Sequence, residues 1–182
     1  EFFANTSSDV TWYGEGQRYL GFVSVTTDGS GNTTFNTTIT ASVLRGEWIS
    51  ATATDGTTND TSEFAQSVQV PINNAPTGTN TTVTATEDTP YTFTAANFGF
   101  GDASDTPADN FLSVKITTLP VLGTLRNNGV VVNAGDYVTK ADIDLNRLVW
   151  TPVANSAGAG YSSFTFQVRD DGGTANSGVD LD

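Results

Sequence analysis

The chain has 182 residues, 15% of them charged, and its 20 acidic against 7 basic side chains give a formal net charge of −13. Such a surface repels nucleic acid and anionic lipid and draws cations, which excludes a nucleic-acid-binding role. Without Cys, His or Met there is no disulfide, thiol nucleophile, Ser–His–Asp triad or zinc site of the usual kind, and no run of about 18 apolar residues spans a membrane.

Thr, Ser, Asn, Gly and Asp fill the polar positions between regularly placed Phe, Tyr, Trp, Val and Ile, a combination that reads as all-β rather than disordered. In chain order, strands are expected at 1–5 (EFFAN), 18–27, 33–39 (TTFNTTI), 47–54 and 63–70, with a turn at 28–32 (DGSGN). The chain opens on Glu1-Phe2-Phe3, without Met or a basic leader, and so reads as starting inside a strand. Residues 71–76 (PINNAP) hold two prolines and two asparagines, unsuited to a ladder interior, and are expected to be a stiff linker. Domains are therefore expected at 1–70 and 77–182. The second restarts the pattern with strands at 81–86, 91–95, 111–119, 123–126, 130–132, 137–138, 147–152 and 161–169. Between them 139–143 forms a single helical turn capped by Thr139, and 178–182 begins a last strand.

Two acidic stretches stand out. Residues 98–110 (FGFGDASDTPADN) carry Asp102, Asp105 and Asp109, and Asp170-Asp171-Gly172-Gly173 closes a later strand. The first is no EF-hand, since counting from Asp102 the sixth residue is Pro107 and the twelfth Ser113. A phosphate-cradling loop with Lys is absent, and carboxylates in polar, Gly-rich loops lack the apolar cleft that raises a catalytic acid. The chain is therefore expected not to be an enzyme. Lys115 alternates with Val114 and Ile116, so it faces outward and forms no isopeptide staple. Trp150 is expected in the core, and Trp12-Tyr13 in a loop where they wedge the domains together. Asn-x-Ser/Thr sequons at Asn5, Asn32, Asn36, Asn59 and Asn80 are what a Thr-rich chain produces by chance.

Several motifs carry a resemblance. Asn74-Ala75-Pro76-Thr77, Glu87-Asp88-Thr89, Phe100-Gly101-Asp102, Leu148-Val149-Trp150-Thr151-Pro152 and FTFQVRD at 164–170 resemble the bacterial cadherin-like repeats of large surface proteins and adhesins. Residues 1–70 resemble a bacterial immunoglobulin-like module lacking its first strands, on EFFAN, on YGEGQ at 13–17 and on ATATD at 51–55. The resemblance implies tandem immunoglobulin/cadherin-like Greek-key β-sandwiches, extracellular or at the cell surface.

In such a sandwich 98–110 is the B–C loop and 170–178 the F–G loop, both at the pole where the chain comes in. Asp102, Asp105, Asp109, Asp170 and Asp171 should gather there beside Asn73 and Asn74. If 1–5 is strand C of the first domain, its following loop brings Asp9 and Glu15 to the same junction. Hard cations such as Ca²⁺ take six to eight oxygens, which such a set supplies; cadherin-like proteins place calcium at junctions of this kind. Asn73 stands where their linker begins with Asp, which lowers the ligand charge. The expected ligands are Asp102, Asp105, Asp170, Asn73, Asn74, Asp109 and Glu15.

The chain thus reads as a non-catalytic structural or adhesive spacer stiffened by junctional calcium, with neighbouring repeats or copies of itself as partners. One alternative is a filament or sheath subunit that exchanges strands at open edges. Another is a module whose aromatics bind a surface glycan, or a protein receptor.

Overall fold

The computed structural model describes all 182 residues, Glu1–Asp182. They form two compact units, Glu1–Ile72 with Ala175–Ser177, and Asn73–Thr174 with Gly178–Asp182. Asn73 and Asn74, placed in a linker by the sequence, belong to the second.

The first unit is built on a four-stranded antiparallel sheet of order β2-β1-β3-β4. Its strands are β1 (Phe2–Asn5), β2 (Arg18–Gly21), β3 (Trp48–Ala51) and β4 (Val68–Gln69). Polar groups do much of the fixing. Asn5 is 1% exposed; its amide donates to Ser50 Oγ (3.0 Å) and accepts from Gln17 N (3.1 Å), tying three segments together. Burial of that side chain takes the Asn5 sequon out of reach of any glycan. Glu47 accepts from Leu44 N (2.7 Å) and Arg18 Nη2 (2.6 Å). Burial pushes its carboxyl up, but these donors outweigh burial and hold it below the ordinary value. Residues 33–39 form no strand: of their side chains only Phe35 and Ile39 are large and apolar, and no sheet edge pairs with them. Trp12, at φ 66°, rests edge-on against Trp48 at 5.2 Å, a contact within this unit.

The second unit is a two-sheet sandwich. One sheet has the order β5-β10-β7-β8, from Tyr91–Thr92, Leu148–Thr151, Thr124–Asn127 and Val130–Val131. The other has the order β11-β6-β9, from Phe166–Asp170, Phe111–Ile116 and Tyr137–Thr139. The inward faces follow the two-residue period of strands. Val168, Val114 and Val138 stand opposite one another across three strands, and Ile116, Leu125 and Leu148 complete the contact between sheets. Lys115 is turned outward, its ammonium 5.8 Å from the Tyr137 ring. Trp150 is half-buried against the core and donates to Leu122 O at 3.0 Å. Asn128 and Gly129, at φ 49° and 80°, supply the left-handed pair that a tight β7–β8 hairpin needs. Thr139 caps the helical turn α1 (Lys140–Asp144) by accepting from Asp142 N, and buried Ile143 anchors it. Residues 81–86 stay outside both sheets; only Val83 of that run packs on the core.

Phe98, 1% exposed, closes a short 3₁₀ turn, Ala95–Phe98, and lies 5.0 Å from the Phe166 ring. Just beyond it, Phe100 stacks on Phe111 at 4.9 Å, so both ends of the 98–110 loop are held by aromatic contacts. Phe98→Ala should cost about 3–5 kcal/mol through the cavity it leaves. The readout is faster exchange of the Val114 amide, which lies in β6, the central strand of its sheet.

Candidate acidic metal centre

β6 and β11 are antiparallel neighbours with Asp170 opposite Phe111. The loop entering β6 and the loop leaving β11 therefore lie at one pole, as the sandwich reading requires. The incoming chain joins them through a Thr77–Gly101 bridge, with hydrogen bonds of 2.7 and 2.9 Å.

In the 98–110 loop, Asp102, Asp105 and Asp109 each offer a carboxylate oxygen, and the three atoms lie within 4.8 Å of one another. Asp102 and Asp105 are 8% and 6% exposed. Asp105 is clamped from both sides, accepting from Asn74 N (3.0 Å) and Asn74 Nδ2 (2.9 Å). Asp102 uses Oδ2 to accept from Asp109 N, which folds the loop back on itself. Its other oxygen, Oδ1, is buried and accepts nothing.

Asn73 is 1% exposed. Its Nδ2 faces Asp170 Oδ1 (3.0 Å), Gly173 O (3.0 Å) and Val179 O (2.8 Å). Three acceptors on one side fix the orientation of the amide, so Oδ1 must point the other way. That oxygen is buried without a donor. It lies close to Asp109 Oδ2, because a Cβ added to Gly172 would strike both atoms. Asp170, fully buried, uses Oδ1 for Asn73 and for Gly172 N (2.9 Å), while its Oδ2 accepts nothing. Burial raises the Asp170 carboxyl above its ordinary value, and the negative charges of Asp102 and Asp180 raise it further.

Six of the seven side chains expected to bind metal thus meet within the second unit: Asn73, Asn74, Asp102, Asp105, Asp109 and Asp170. Of these, Asn74 serves as a hydrogen-bond donor to Asp105. Glu15 belongs to the first unit, where Gln17 Nε2 donates to it at 3.5 Å. Asp9, in the same unit, caps its own turn through Thr11 N at 2.7 Å. Asp171 turns outward and takes Asn110 N (2.8 Å) and Nδ2 (3.1 Å), the same clamp that Asn74 makes on Asp105.

Two contributors escaped the sequence reading. Gly172 is the only residue type that fits between Asn73 and Asp109 without a collision. Asp180, 8% exposed, adds negative charge behind Asp170 and is paired with Arg169 at 2.6 Å. The alternation Asp180-Leu181-Asp182 in 178–182 was the available signal, since a strand there turns every second side chain to one face.

Fold and pole together define an immunoglobulin-like β-sandwich with a buried acidic cluster where its chain comes in. Residues 73–182 match the bacterial Ig domain family, and the chain belongs to it. No curated protein and no solved structure shows significant similarity to the chain. Bacterial Ig domains are generally structural or adhesive modules of surface and extracellular proteins, and no helix of this chain is long and apolar enough to cross a membrane.

Gly172→Ala should force Asn73 and Asp109 apart, at a cost of about 1–3 kcal/mol typical of overpacking. A lowered thermal midpoint, read by circular dichroism, checks it.

Proposed function

We propose that the chain is a non-catalytic structural module of a secreted or surface-displayed protein, and that a calcium ion locks the acidic pole of its second unit. One observation carries the proposal: three buried oxygens, Asn73 Oδ1, Asp102 Oδ1 and Asp170 Oδ2, have no hydrogen-bond donor and border a cluster of three carboxylates. A buried acceptor without a donor is costly, and a cation satisfies several at once. The chemistry suits a hard cation, since every side-chain atom on offer is an oxygen. Asp102, Asp105, Asp109 and Asp170 would supply carboxylate oxygens and Asn73 its amide oxygen, with the remaining positions left for carbonyls or water. Mg²⁺ fits less well, because it demands near-ideal octahedral geometry and keeps several waters.

The cation's role would be mechanical. Asn73 and Asn74 are the residues through which the chain comes into the second unit, and the ion would tie them to both acidic loops. A spacer whose incoming segment is fixed transmits direction along a chain of domains; one held by hydrogen bonds alone lets that segment swing. The cadherin-like likeness noted from the motifs favours the same use of calcium.

Thermal melts test the reading. Calcium at a hundredfold excess over its Kd should stabilise the second unit by about 2.7 kcal/mol relative to chelator, and magnesium should do less. Asp170→Asn separates cation binding from simple folding. Asn keeps an acceptor for Asn73 and Gly172, yet it removes a charge whose folded pKa lies above its ordinary 3.8. A raised folded pKa means that the ionised group costs stability at neutral pH. Acid relieves that cost as the pH falls through the folded value towards 3.8. In chelator Asp170→Asn should therefore melt higher than the parent at pH 7, with the difference shrinking on acidification; in calcium it should lose most of the metal-dependent rise. An unchanged midpoint of the parent with and without calcium would sink the proposal.

A further inference from the structure

The outer face of the β11-β6-β9 sheet carries a group of side chains that neither the core nor the acidic pole uses. β6 is the central strand and is paired on both sides, so this group lies on a sheet face and not at an edge. Val168, Val114 and Val138 turn inward, which turns the adjoining rows outward. Gln167, Lys115 and Tyr137 form one of these rows, and Arg169, Ser113 and Thr139 form the next. The Lys115 ammonium lies 5.8 Å from the centroid of the Tyr137 ring, and the Arg169 guanidinium carbon lies 5.5 Å from the same centroid. Tyr137 starts from β9 and Arg169 from β11, so their side chains meet across β6.

Charge sets this group apart. Acidic side chains outnumber basic ones 20 to 7 in the chain, and Arg18, Lys140, Arg147 and Arg169 each rest on a carboxylate. Lys115 rests on none; what its ammonium faces is the Tyr137 ring. Arg169 is held by Asp180 through Nε (2.7 Å) and Nη2 (2.6 Å), both on the one oxygen Oδ2, which leaves Nη1 over. Two cations that share one ring repel each other, and the ring offsets only about 0.5–1 kcal/mol for each at an exposed site. Ser113, between Arg169 and Thr139, is 3% exposed although it faces outward, because longer side chains close over it. Its Oγ has no hydrogen-bond partner. An anion seated on this face would relieve the repulsion and give Lys115 the counter-charge that it lacks.

We propose that this face binds an acidic peptide segment of another polypeptide. Lys115 and Arg169 Nη1 take one of its carboxylates, and the Tyr137 ring takes an adjoining apolar side chain. The ring is 47% exposed, and Tyr with Arg is the pairing that protein interfaces concentrate. A carboxylate fits better than a phosphate, because Asp180 already fills the fork with which an Arg grips a phosphate. The net charge of −13 keeps acidic segments off the rest of the surface. At physiological salt that repulsion is screened beyond about 8 Å, so close to the sheet the two cations govern. None of these side chains is a ligand of the proposed calcium site, so the two proposals stand or fall separately.

The test is titration of the whole chain, in chelator, with a capped five-residue peptide of alternating Glu and Leu. The readouts are the NMR shifts of the Tyr137 ring and of the Lys115 side chain next to its ammonium. Both should move together and saturate. Lys115→Gln, an outward substitution that leaves the core alone, should weaken binding about tenfold, as loss of a charge-assisted hydrogen bond does. Tyr137→Leu should weaken it as well, and the peptide with Gln in place of Glu should move neither signal. No shift with peptide up to millimolar concentration overturns the proposal. So does equal binding by the Gln peptide, which would mean apolar contact alone, or an unchanged affinity in Lys115→Gln. Tighter binding of an oligogalacturonate overturns it in favour of an acidic glycan. A dimer seen by sedimentation velocity without peptide, and lost in Lys115→Gln, overturns it in favour of a second copy.

Discussion

The side-chain amide of Asn73 can point only one way, because three acceptors, Asp170 Oδ1, Gly173 O and Val179 O, surround its Nδ2. Its backbone adds a fourth tie, accepting from Val179 N at 2.9 Å. One residue thus joins the incoming chain, the loop after β11 and the 179–182 segment. The same orientation drives Oδ1 into the acidic cluster, where no donor meets it. The arrangement that holds the pole together therefore also creates its electrostatic cost. A ligand that relieves this cost acts on the whole pole, because loading Oδ1 polarises the amide and strengthens its N–H bonds on the other side.

The neighbouring aspartates divide the work by where they point. Asp105 and Asp171 have the same chemistry and each is clamped by an Asn through a backbone and a side-chain donor. Yet Asp105 is buried in the cluster and Asp171 is exposed. Asp170 and Asp171 are adjacent, and strand alternation at the end of β11 sends one inward and the other outward. The inward one feels burial, which raises its carboxyl, and the charge of Asp102.

Much of this pole was legible in the sequence because strands alternate direction. Once 111–119 and 161–169 are read as adjacent strands, the loop before one and the loop after the other must share an end, whatever their side chains do. That logic brought Asp102, Asp105, Asp109 and Asp170 together with Asn73. Side-chain choices lay beyond it. Nothing in the order of residues shows that Asn74 acts on Asp105 as a donor. The strand expected at 81–86 failed for a related reason: a Thr-rich run has β-propensity, but pairing needs an edge and a row of apolar side chains to bury, and Val83 alone reaches the core. Likewise Asn5 carries a sequon but is consumed as a buried hydrogen-bonding hub, a role local sequence does not distinguish from a surface turn.

β11 carries both unusual features of the second unit, one at each end. At Asp170 it enters a crowd of carboxylates, and there 179–182 is bound to it and to Asn73. At Phe166 it is uncharged and aromatic, packed edge-on against Phe98 at 5.0 Å. The charge of the chain makes this division physical. Acidic side chains along 161–167 would have set charge beside the core; their absence leaves Phe164 and Phe166 to line an apolar cleft. The polar end of β11 is thus closed by hydrogen bonds to defined residues, whereas its aromatic end is held by apolar packing of Phe166 and the preceding Phe164 against the core.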